Sequence, residues 1–292
     1  MKIRIIDSDG ATRTTTLLTE TTAMSCHSFS LPAGKDGSCP MAVYGENAIC
    51  SACYAMRNRF AFPTVANAQW IRLLWTRHLL RHDPGRWART LALAIEAETF
   101  DGPEYFRWLD SGDLFSPAFV IAVTAVCRAT PNVAHWVPTR SWQATAPSWT
   151  AAMQALGDLP NVTLRPSALR FNEAAPVTTY GPGTASHTED VIPSDGIVYL
   201  DGEPHHACPK TAVKGGSCGG CNCRVCFEGA TVAAPHHGRV SYLGHGWGGS
   251  HTLASLSPRA SATRKARAEA FTRLTISTPT RSPRLDRAPA HV

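Results

Sequence analysis

The sequence lacks any long apolar run. No stretch approaches the roughly twenty consecutive apolar residues that a membrane-spanning helix needs. The first seven residues also contain no extended apolar segment of the kind found in secretion signals. These absences predict a cytoplasmic protein that does not contact a membrane.

Charged residues are scarce, at 17% of the chain, and they are unevenly distributed. The net charge of +6 is carried by residues 255–292, where eight basic residues stand against two acidic ones. This segment is rich in Ser, Thr, Ala and Pro and poor in large apolar side chains, a composition that predicts disorder. A mobile basic segment can bind the phosphates of nucleic acid or can simply keep the chain in solution, and the composition favours neither.

Cysteine is abundant by contrast, with ten residues, eight of which fall in two groups. The first group is Cys39, Cys50 and Cys53, and the second is Cys208, Cys218, Cys221, Cys223 and Cys226. Cysteines in a reducing compartment seldom form structural disulfides, and a chain of 292 residues can bury a core without them. Thiolates prefer soft or borderline metals, and a Cys-x2-Cys turn brings two of them to one ion or cluster. We therefore expect metal centres, with a secreted disulfide scaffold as the weaker alternative.

The second group offers more sulfurs than one tetrahedral site accepts. The preferred ligand set is Cys208, Cys218, Cys221 and Cys226. Cys223 can replace Cys221, since the pairs 218/221 and 223/226 overlap. Zinc and an iron-sulfur cluster fit this spacing equally well. Two cysteines lie outside both groups: Cys26 is an alternative or fourth ligand for the first group, whereas Cys127 lies in an apolar helical pattern and is expected in the core.

Strands and helices alternate between the two cysteine groups. Helical patterns cover residues 64–82, 86–98, 119–128 and 148–156, and strand patterns cover residues 104–109, 133–138 and 161–165. Residues 1–38 are predicted to form one short strand followed by a loop. The alternation predicts an α/β fold with a parallel sheet. We assign residues 1–200 to this domain, 201–254 to a Cys-rich metal-binding extension, and 255–292 to the basic tail.

Polar side chains follow three successive predicted strands. They are Asp110, Ser111 and Asp113 after the first strand, Thr139, Arg140 and Ser141 after the second, and Arg165 and Ser167 at the third. Active sites of parallel α/β folds form at the carboxyl ends of the strands. The pattern therefore favours a cleft for a small charged ligand over ordinary polar loops.

A cysteine trio ending in Cys50-Ser51-Ala52-Cys53-Tyr54, ahead of a run of β/α units, resembles the radical S-adenosylmethionine (SAM) enzymes. In that superfamily three cysteines bind a [4Fe-4S] cluster at the top of a partial (β/α) barrel. The resemblance implies such a barrel here, with Cys39, Cys50 and Cys53 as the cluster ligands. The spacing departs from the usual pattern, because ten residues separate Cys39 from Cys50 where that superfamily usually has three.

The resemblance also implies roles for other residues. Ser111, Gly112 and Asp113 occupy the place of the glycine-rich turn that binds the SAM amino group. Asp113 and Arg140 would orient SAM for catalysis, Tyr54 would pack near its adenine, and Arg165 would be a further cofactor contact. The second cysteine group resembles the segments that hold an auxiliary cluster in some of these enzymes.

The implied activity is reductive cleavage of SAM, fed by an electron donor, to modify a nucleotide or a nucleic-acid base. Two alternatives remain open. One is a zinc protein without catalysis, in which the cysteines fold loops that bind nucleic acid or another protein. The other is an iron-sulfur redox or sensor protein that does not use SAM.

A second resemblance covers residues 25–245. It is carried by the segment 28–34, Cys39-Pro40, the segment 49–55, Ser111-Gly112-Asp113 and the late cysteine group. This combination is similar to a phage-borne family called gene product 88. The likeness implies a bacteriophage origin and a metal-binding fold, and it implies no particular activity.

Overall fold

The computed structural model describes residues 1–6, 10–21, 24, 26–102, 104–188, 193–212, 218–221, 223–227, 236 and 238–243. All ten cysteines are within these ranges. The predicted basic tail, 255–292, lies outside the described residues.

The chain begins with two antiparallel strands, β1 (Lys2–Ile6) and β2 (Thr12–Thr16). A five-stranded sheet follows, in the order β3-β4-β5-β6-β7. Its strands are β3 (Thr19–Glu20), β4 (His27–Phe29), β5 (Tyr105–Trp108), β6 (Ala134–Thr139) and β7 (Val162–Pro166). The strands from β4 to β7 are parallel and stand in chain order, whereas β3 is antiparallel to β4. This half-barrel sheet confirms the predicted α/β class with parallel strands.

Helices connect the parallel strands. Three helices lie between β4 and β5, namely α1 (Asn58–Ala61), α2 (Pro63–His82) and α3 (Pro84–Thr99). The helix α4 (Pro117–Ala129) follows β5, and α5 (Pro147–Gly157) follows β6. Proline in the first turn and a side-chain cap define the starts of two of them, because Asp83 accepts from the Arg86 N–H and Ser116 from the Phe119 N–H. The four predicted helices and three predicted strands are confirmed within about three residues at each end. The prediction of one strand in residues 1–38 is wrong, since four strands lie there.

Aromatic side chains fill the space between sheet and helices. Trp87 of α3 and Trp108 of β5 are fully buried and stack with ring centroids 6.4 Å apart. Phe29 of β4 meets both rings edge to face. Cys127 of α4 is also fully buried in this core, as predicted. No helix in the described ranges is long and apolar enough to cross a membrane.

A second sheet follows β7. Its order is β8-β11-β10-β9, with β8 (Thr184–His187), β9 (Ile197–Leu200), β10 (Glu203–Ala207) and β11 (Val240–Leu243). Two short helices follow β10, namely α6 (Pro209–Ala212) and α7 (Cys218–Cys221). A bridge from Ser167 to Thr184 joins β8 to the chain just after β7. The predicted boundary at residue 200 falls in the turn between β9 and β10, two antiparallel strands of one sheet. The division into domains stays a prediction.

A buried histidine in β6 predicts how the stability of the fold depends on pH. The Trp108 Nε1–H donates to Nδ1 of His135, so the ring is neutral and its Nε2–H donates to the Thr130 hydroxyl. Burial lowers the pKa of His135 to about 4. An unfolded histidine titrates near 6.5, so the unfolded chain binds more protons between these two values.

We expect this histidine to reduce the free energy of unfolding as the pH falls from about 6.5 to about 4, by about 3 kcal/mol in total. Urea unfolding at several pH values in this window measures the slope. The variant His135→Gln keeps a polar side chain that does not titrate. Over the same pH window its free energy of unfolding should fall by about 3 kcal/mol less than that of the unmutated protein. Equal slopes in the two proteins would contradict the assignment.

Candidate functional site

The loop that carries the first cysteine group crosses the carboxyl edge of the half-barrel. This cysteine loop, residues 30–57, leaves β4 and reaches past β7, where the Ile49 N–H donates to the Leu169 carbonyl over 2.9 Å. Between these points the Gln143 side chain, which follows β6, donates to the Met41 carbonyl over 3.0 Å. The loop therefore lies over the ends of all four parallel strands.

The turn after β5 joins this loop to the neighbouring strand. Oδ1 of Asp113 accepts hydrogen bonds from the Leu114 N–H (2.7 Å) and the Thr139 hydroxyl (2.6 Å), and Oδ2 accepts from the Arg140 N–H (2.9 Å). The Asp113 N–H donates to the Ser38 hydroxyl of the cysteine loop. Burial raises the pKa of Asp113, and these hydrogen bonds act in the opposite direction. Asp113 thus holds the site together, while its predicted contact with SAM stays a prediction.

Gly112 allows the turn and the cysteine loop to pack closely. Its φ of +90° lies in the left-handed region, and a Cβ here would stand 2.4 Å from the Ser38 Oγ and 2.8 Å from the Leu31 Cβ. No side chain fits in that space without moving the loop. The predicted glycine-rich turn therefore contacts the cysteine loop directly.

The three cysteines of the loop share one neighbourhood. Cys50 lies in a 3-10 helix, Ile49–Ala52, and the Cys53 N–H donates back to the Cys50 carbonyl. The pKa of Cys39 is raised well above its usual value by burial and then by the charges of Asp113, Cys53 and Cys50. Burial raises the pKa of Tyr44, and the charges of Cys39, Cys50 and Cys53 raise it further. Cys39, Cys50 and Cys53 therefore lie within electrostatic range of one another, and Cys39 lies within range of Asp113 in the turn that follows β5.

The donor atoms suit a soft or borderline metal, although the side chains do not yet converge on one point. Within the described ranges, no group of three or more His, Cys, Asp or Glu side chains is close enough together to hold a metal ion. Burial keeps the Cys39 thiol protonated, whereas a bound cation would favour its thiolate. Filling this site would require the three side chains to move together and release protons.

One buried polar atom of the turn, the Ser111 Oγ, has no hydrogen-bond partner among the residues that the structure describes. Ser111 is 1% exposed, and its Oγ makes no hydrogen bond within the described part of the chain. A buried hydroxyl left in this state costs about 1–3 kcal/mol. A bound ligand with a polar group would satisfy it, so Ser111 fits its predicted role beside a cofactor.

Tyr54 connects the cysteine loop to the guanidinium of Arg107 in β5. Its hydroxyl donates to the Asp110 carbonyl and accepts from Nη2 of Arg107, which is 3.1 Å away. The residue is 45% exposed, and its ring packs against Phe60. Asp110 is held in turn by the hydroxyls of Ser28 and Ser30. The ring of Tyr54 is accessible to a planar ligand, and its predicted contact with adenine stays a prediction.

The two predicted cofactor arginines differ in their surroundings. Arg140 is half-buried, and its Nε donates to the Ala168 carbonyl over 3.2 Å. Arg165 is fully buried and donates to the carbonyls of Val225, Cys226 and Gly238. Arg165 therefore anchors the second cysteine group to β7, a role that the sequence analysis did not anticipate.

The second cysteine group contacts strands of both sheets. Cys226 Sγ is 3.0 Å from the Tyr242 hydroxyl, and Cys223 Sγ is 3.4 Å from Nε2 of His206. The neighbouring His205 points the other way and accepts from the Ala175 N–H, which confirms that adjacent histidines of this strand face opposite sides. Cys208 is buried just after β10, and Cys218 and Cys221 are the two ends of α7.

Cys26 lies with this second group. It forms a buried cluster with Met24 and Trp136, against which Cys218 and Cys226 pack. The sequence suggested Cys26 only as a ligand for the first group, and no spacing pattern links it to the second.

The sequence did carry a signal for Arg107, because this charged residue stands among the aromatic residues of β5, Tyr105-Phe106-Arg107-Trp108. Such a residue indicates a buried charge with a specific partner.

Comparison with known proteins identifies the family of the chain. A sequence model of the Gene product 88 family matches residues 6–229. The chain belongs to the Gene product 88 family. No curated protein and no solved structure matches the chain.

Membership of the Gene product 88 family supports a bacteriophage context. The matched residues include the half-barrel, the cysteine loop and all of the second cysteine group. Both cysteine groups therefore lie within the segment that the family model matches. The basic tail, 255–292, is beyond the match.

The packing of Gly112 predicts a large effect of a small substitution. Gly112→Ala should reduce the free energy of unfolding by about 3 kcal/mol or more, because the new methyl group combines backbone strain with overlap against the cysteine loop. Urea unfolding measures this difference. Gly202→Ala is the matched control, because Gly202 has a φ of +80° and open space around the added Cβ. It should cost only about 1 kcal/mol, and equal costs at the two sites would contradict the packing argument.

Proposed function

We propose that this member of the Gene product 88 family is an iron-sulfur enzyme of the radical SAM type. Cys39, Cys50 and Cys53 would bind a [4Fe-4S] cluster at the carboxyl edge of the half-barrel. One observation carries the proposal: the loop with the three thiols crosses the ends of four parallel strands and packs on the Gly112-Asp113 turn. Neighbouring thiols at that edge are a suitable donor set for such a cluster.

Cys39, Cys50 and Cys53 would hold the cluster, which would supply the electron for reductive cleavage of bound SAM. The residues of the chain would bind and orient the cofactor. The Ser111 hydroxyl offers a hydrogen bond, and Oδ2 of Asp113, which accepts from the Arg140 N–H, has room to accept from an ammonium group. The half-buried guanidinium of Arg140 can pair with a carboxylate. The accessible ring of Tyr54 can stack on adenine.

The substrate class we propose is a nucleotide or a base of nucleic acid. A pocket of about 350 Å³ beside Cys50 is lined by residues 43–48 and Arg170. Arg170 lies at the surface, paired with Glu173 over 3.2 Å, and so can reach a phosphate at the pocket mouth. The basic composition of residues 255–292 and the bacteriophage context support the same class.

The second cysteine group would hold a further metal centre, either an iron-sulfur cluster or zinc. Cys208, Cys218, Cys221 and Cys226 remain its predicted ligands. Lys210 is close enough to lower the pKa of Cys218 against the larger effect of burial, and so would help to balance the charge of the thiolates. An external electron donor completes the set of proposed partners.

Anaerobic purification followed by iron, sulfide and zinc analysis tests the proposal. We expect iron with sulfide, an absorbance band that bleaches with dithionite, and release of 5′-deoxyadenosine when SAM is added. Zinc alone at both sites would overturn the radical SAM assignment and favour a zinc protein without catalysis. Iron and sulfide without SAM cleavage would instead indicate a redox or sensor protein.

The first cluster should depend on its own cysteines. Cys50→Ala and Cys53→Ala should each remove about four iron atoms per chain and abolish SAM cleavage, with the fold retained because the aromatic core is separate from the loop. Circular dichroism and iron analysis measure both properties. Cys127→Ala is the control, since Cys127 is fully buried in the core and should not bind metal. Unfolding of the two loop variants alone would instead indicate a structural metal site.

The unpartnered hydroxyl of Ser111 allows a test of cofactor binding. Ser111→Ala should weaken SAM binding about five- to tenfold, or about 1–1.4 kcal/mol, without lowering stability, because no hydrogen bond within the described residues is lost. Calorimetric titration of the iron-loaded protein measures the affinity. Ser141→Ala is the matched control: the Ser141 hydroxyl donates to the Leu114 carbonyl, so stability should fall by about 1 kcal/mol with SAM affinity unchanged. Unchanged affinity in Ser111→Ala would remove Ser111 from the site.

A further inference from the structure

We propose that Cys26 is a ligand of the second metal centre, together with Cys218 and Cys226, and that Arg107 supplies positive charge to that centre. This inference rests on the proposed function only in taking the second cysteine group to bind a metal, and it does not depend on SAM. The metal belongs to the class that thiolates prefer, zinc or an iron-sulfur cluster.

Packing brings the three cysteines from distant parts of the chain to one small cluster, although within the described ranges their side chains do not yet converge on one point. Cys26 precedes β4, Cys218 begins α7, and Cys226 lies in the 3-10 helix Val225–Phe227. All three contact one small cluster in which Cys26 and Trp136 are buried. The Thr21 hydroxyl donates to the Cys26 carbonyl over 3.0 Å and fixes the backbone turn that presents Cys26 to this cluster.

A guanidinium with an incomplete set of partners lies at the same place. Arg107 of β5 is half-buried, and its Cζ lies 4.5 Å from the centroid of the Trp136 ring. It donates to the Tyr54 hydroxyl and towards the Met24 sulfur, whereas its Nε is buried with no hydrogen-bond partner in the described part of the chain. No carboxylate of the described residues forms an ion pair with it. The Asp110 carboxylate acts on this desolvated cation without forming an ion pair with it, and metal-bound thiolates would add negative charge at closer range.

The electrostatics place this guanidinium close to all three thiols. Burial raises the pKa of Cys26 to about 11, and the side-chain charge and backbone amide of Arg107 oppose that shift. Burial also raises the pKa values of Cys218 and Cys226, and Arg107 is again among the charges that oppose it. Cys218 in turn raises the pKa values of Cys26 and Cys226. One cation therefore lies within electrostatic range of three sulfurs from three segments.

This arrangement changes the ligand set expected from spacing alone. Cys223 Sγ lies 3.4 Å from Nε2 of His206, and the charges of Cys223 and Cys221 both act on Cys218. Cys208, Cys221 and Cys223 are the candidates for the fourth position. A ligand from the segment before β4 would tie the second cysteine group to the half-barrel through the metal itself.

The test uses the full chain with Cys39, Cys50 and Cys53 replaced by alanine, so that any bound metal belongs to the second centre. Zinc, iron and sulfide per chain are measured by elemental analysis and native mass spectrometry. Adding Cys26→Ala to this background should reduce bound metal at least tenfold. Adding Cys127→Ala instead, which removes another buried cysteine, should leave the metal content unchanged.

Zinc, or iron with sulfide, lost on Cys26→Ala supports the inference and identifies the metal. Unchanged metal content in Cys26→Ala overturns it, as does a background chain that binds neither metal. If Cys26→Ala does not fold, alkylation of the unmutated protein decides the question. Cys26 should then become reactive on chelation together with Cys218 and Cys226, and failure to do so counts against the inference. If the unmutated protein does not cleave SAM but Cys26→Ala still loses metal in the background chain, the proposed function is rejected and this inference stands.

Discussion

The buried carboxylate of Asp113 is the interaction on which the site depends. It accepts hydrogen bonds from the chain after β5 and from the chain after β6, and so holds two strand ends at a set separation. The Ser38 hydroxyl, which accepts from the Asp113 N–H, adds the cysteine loop to this junction. Gly112 then permits backbone contact that no other residue allows. The position of the three loop cysteines over the half-barrel follows from these contacts.

The second cysteine region is built into the half-barrel. Arg165 of β7 donates to backbone carbonyls on both sides of the region, and Thr163 donates to the Phe227 carbonyl. Arg107 of β5 lies between Tyr54 of the cysteine loop and the cluster that contains Cys26. Because β5 and β7, the two strands that flank β6, supply these groups, the second cysteine region packs on the same sheet whose carboxyl edge carries the cysteine loop. Because Arg107 contacts both the cysteine loop and this cluster, a change in charge at one cysteine group would alter the electrostatic potential at the other.

The elements predicted well are those with strong local signals. The helices α2 to α5 each begin with proline in the first turn and carry apolar residues at helical spacing, which are short-range preferences. The strand β4 was missed because it has three residues, too few for an alternating pattern. The second sheet was missed for a related reason. Its strands have four or five residues, and β10 contains a proline and two histidines, so pairing with distant strands defines them.

The sequence by itself determined the donor atoms, the order of strands and helices, and the polar residues at the strand ends, because each of these depends on residue type or short spacing. Tertiary structure alone decided which donors are neighbours. Cys26 packs in the cluster that Cys218 and Cys226 contact, although about 200 residues separate them in the sequence. Arg165, predicted to contact a cofactor, donates instead to backbone carbonyls. The Ser111 hydroxyl is left without a hydrogen-bond partner among the described residues. These outcomes depend on which strands pair and which loops cross them, and no local preference of the chain encodes that choice.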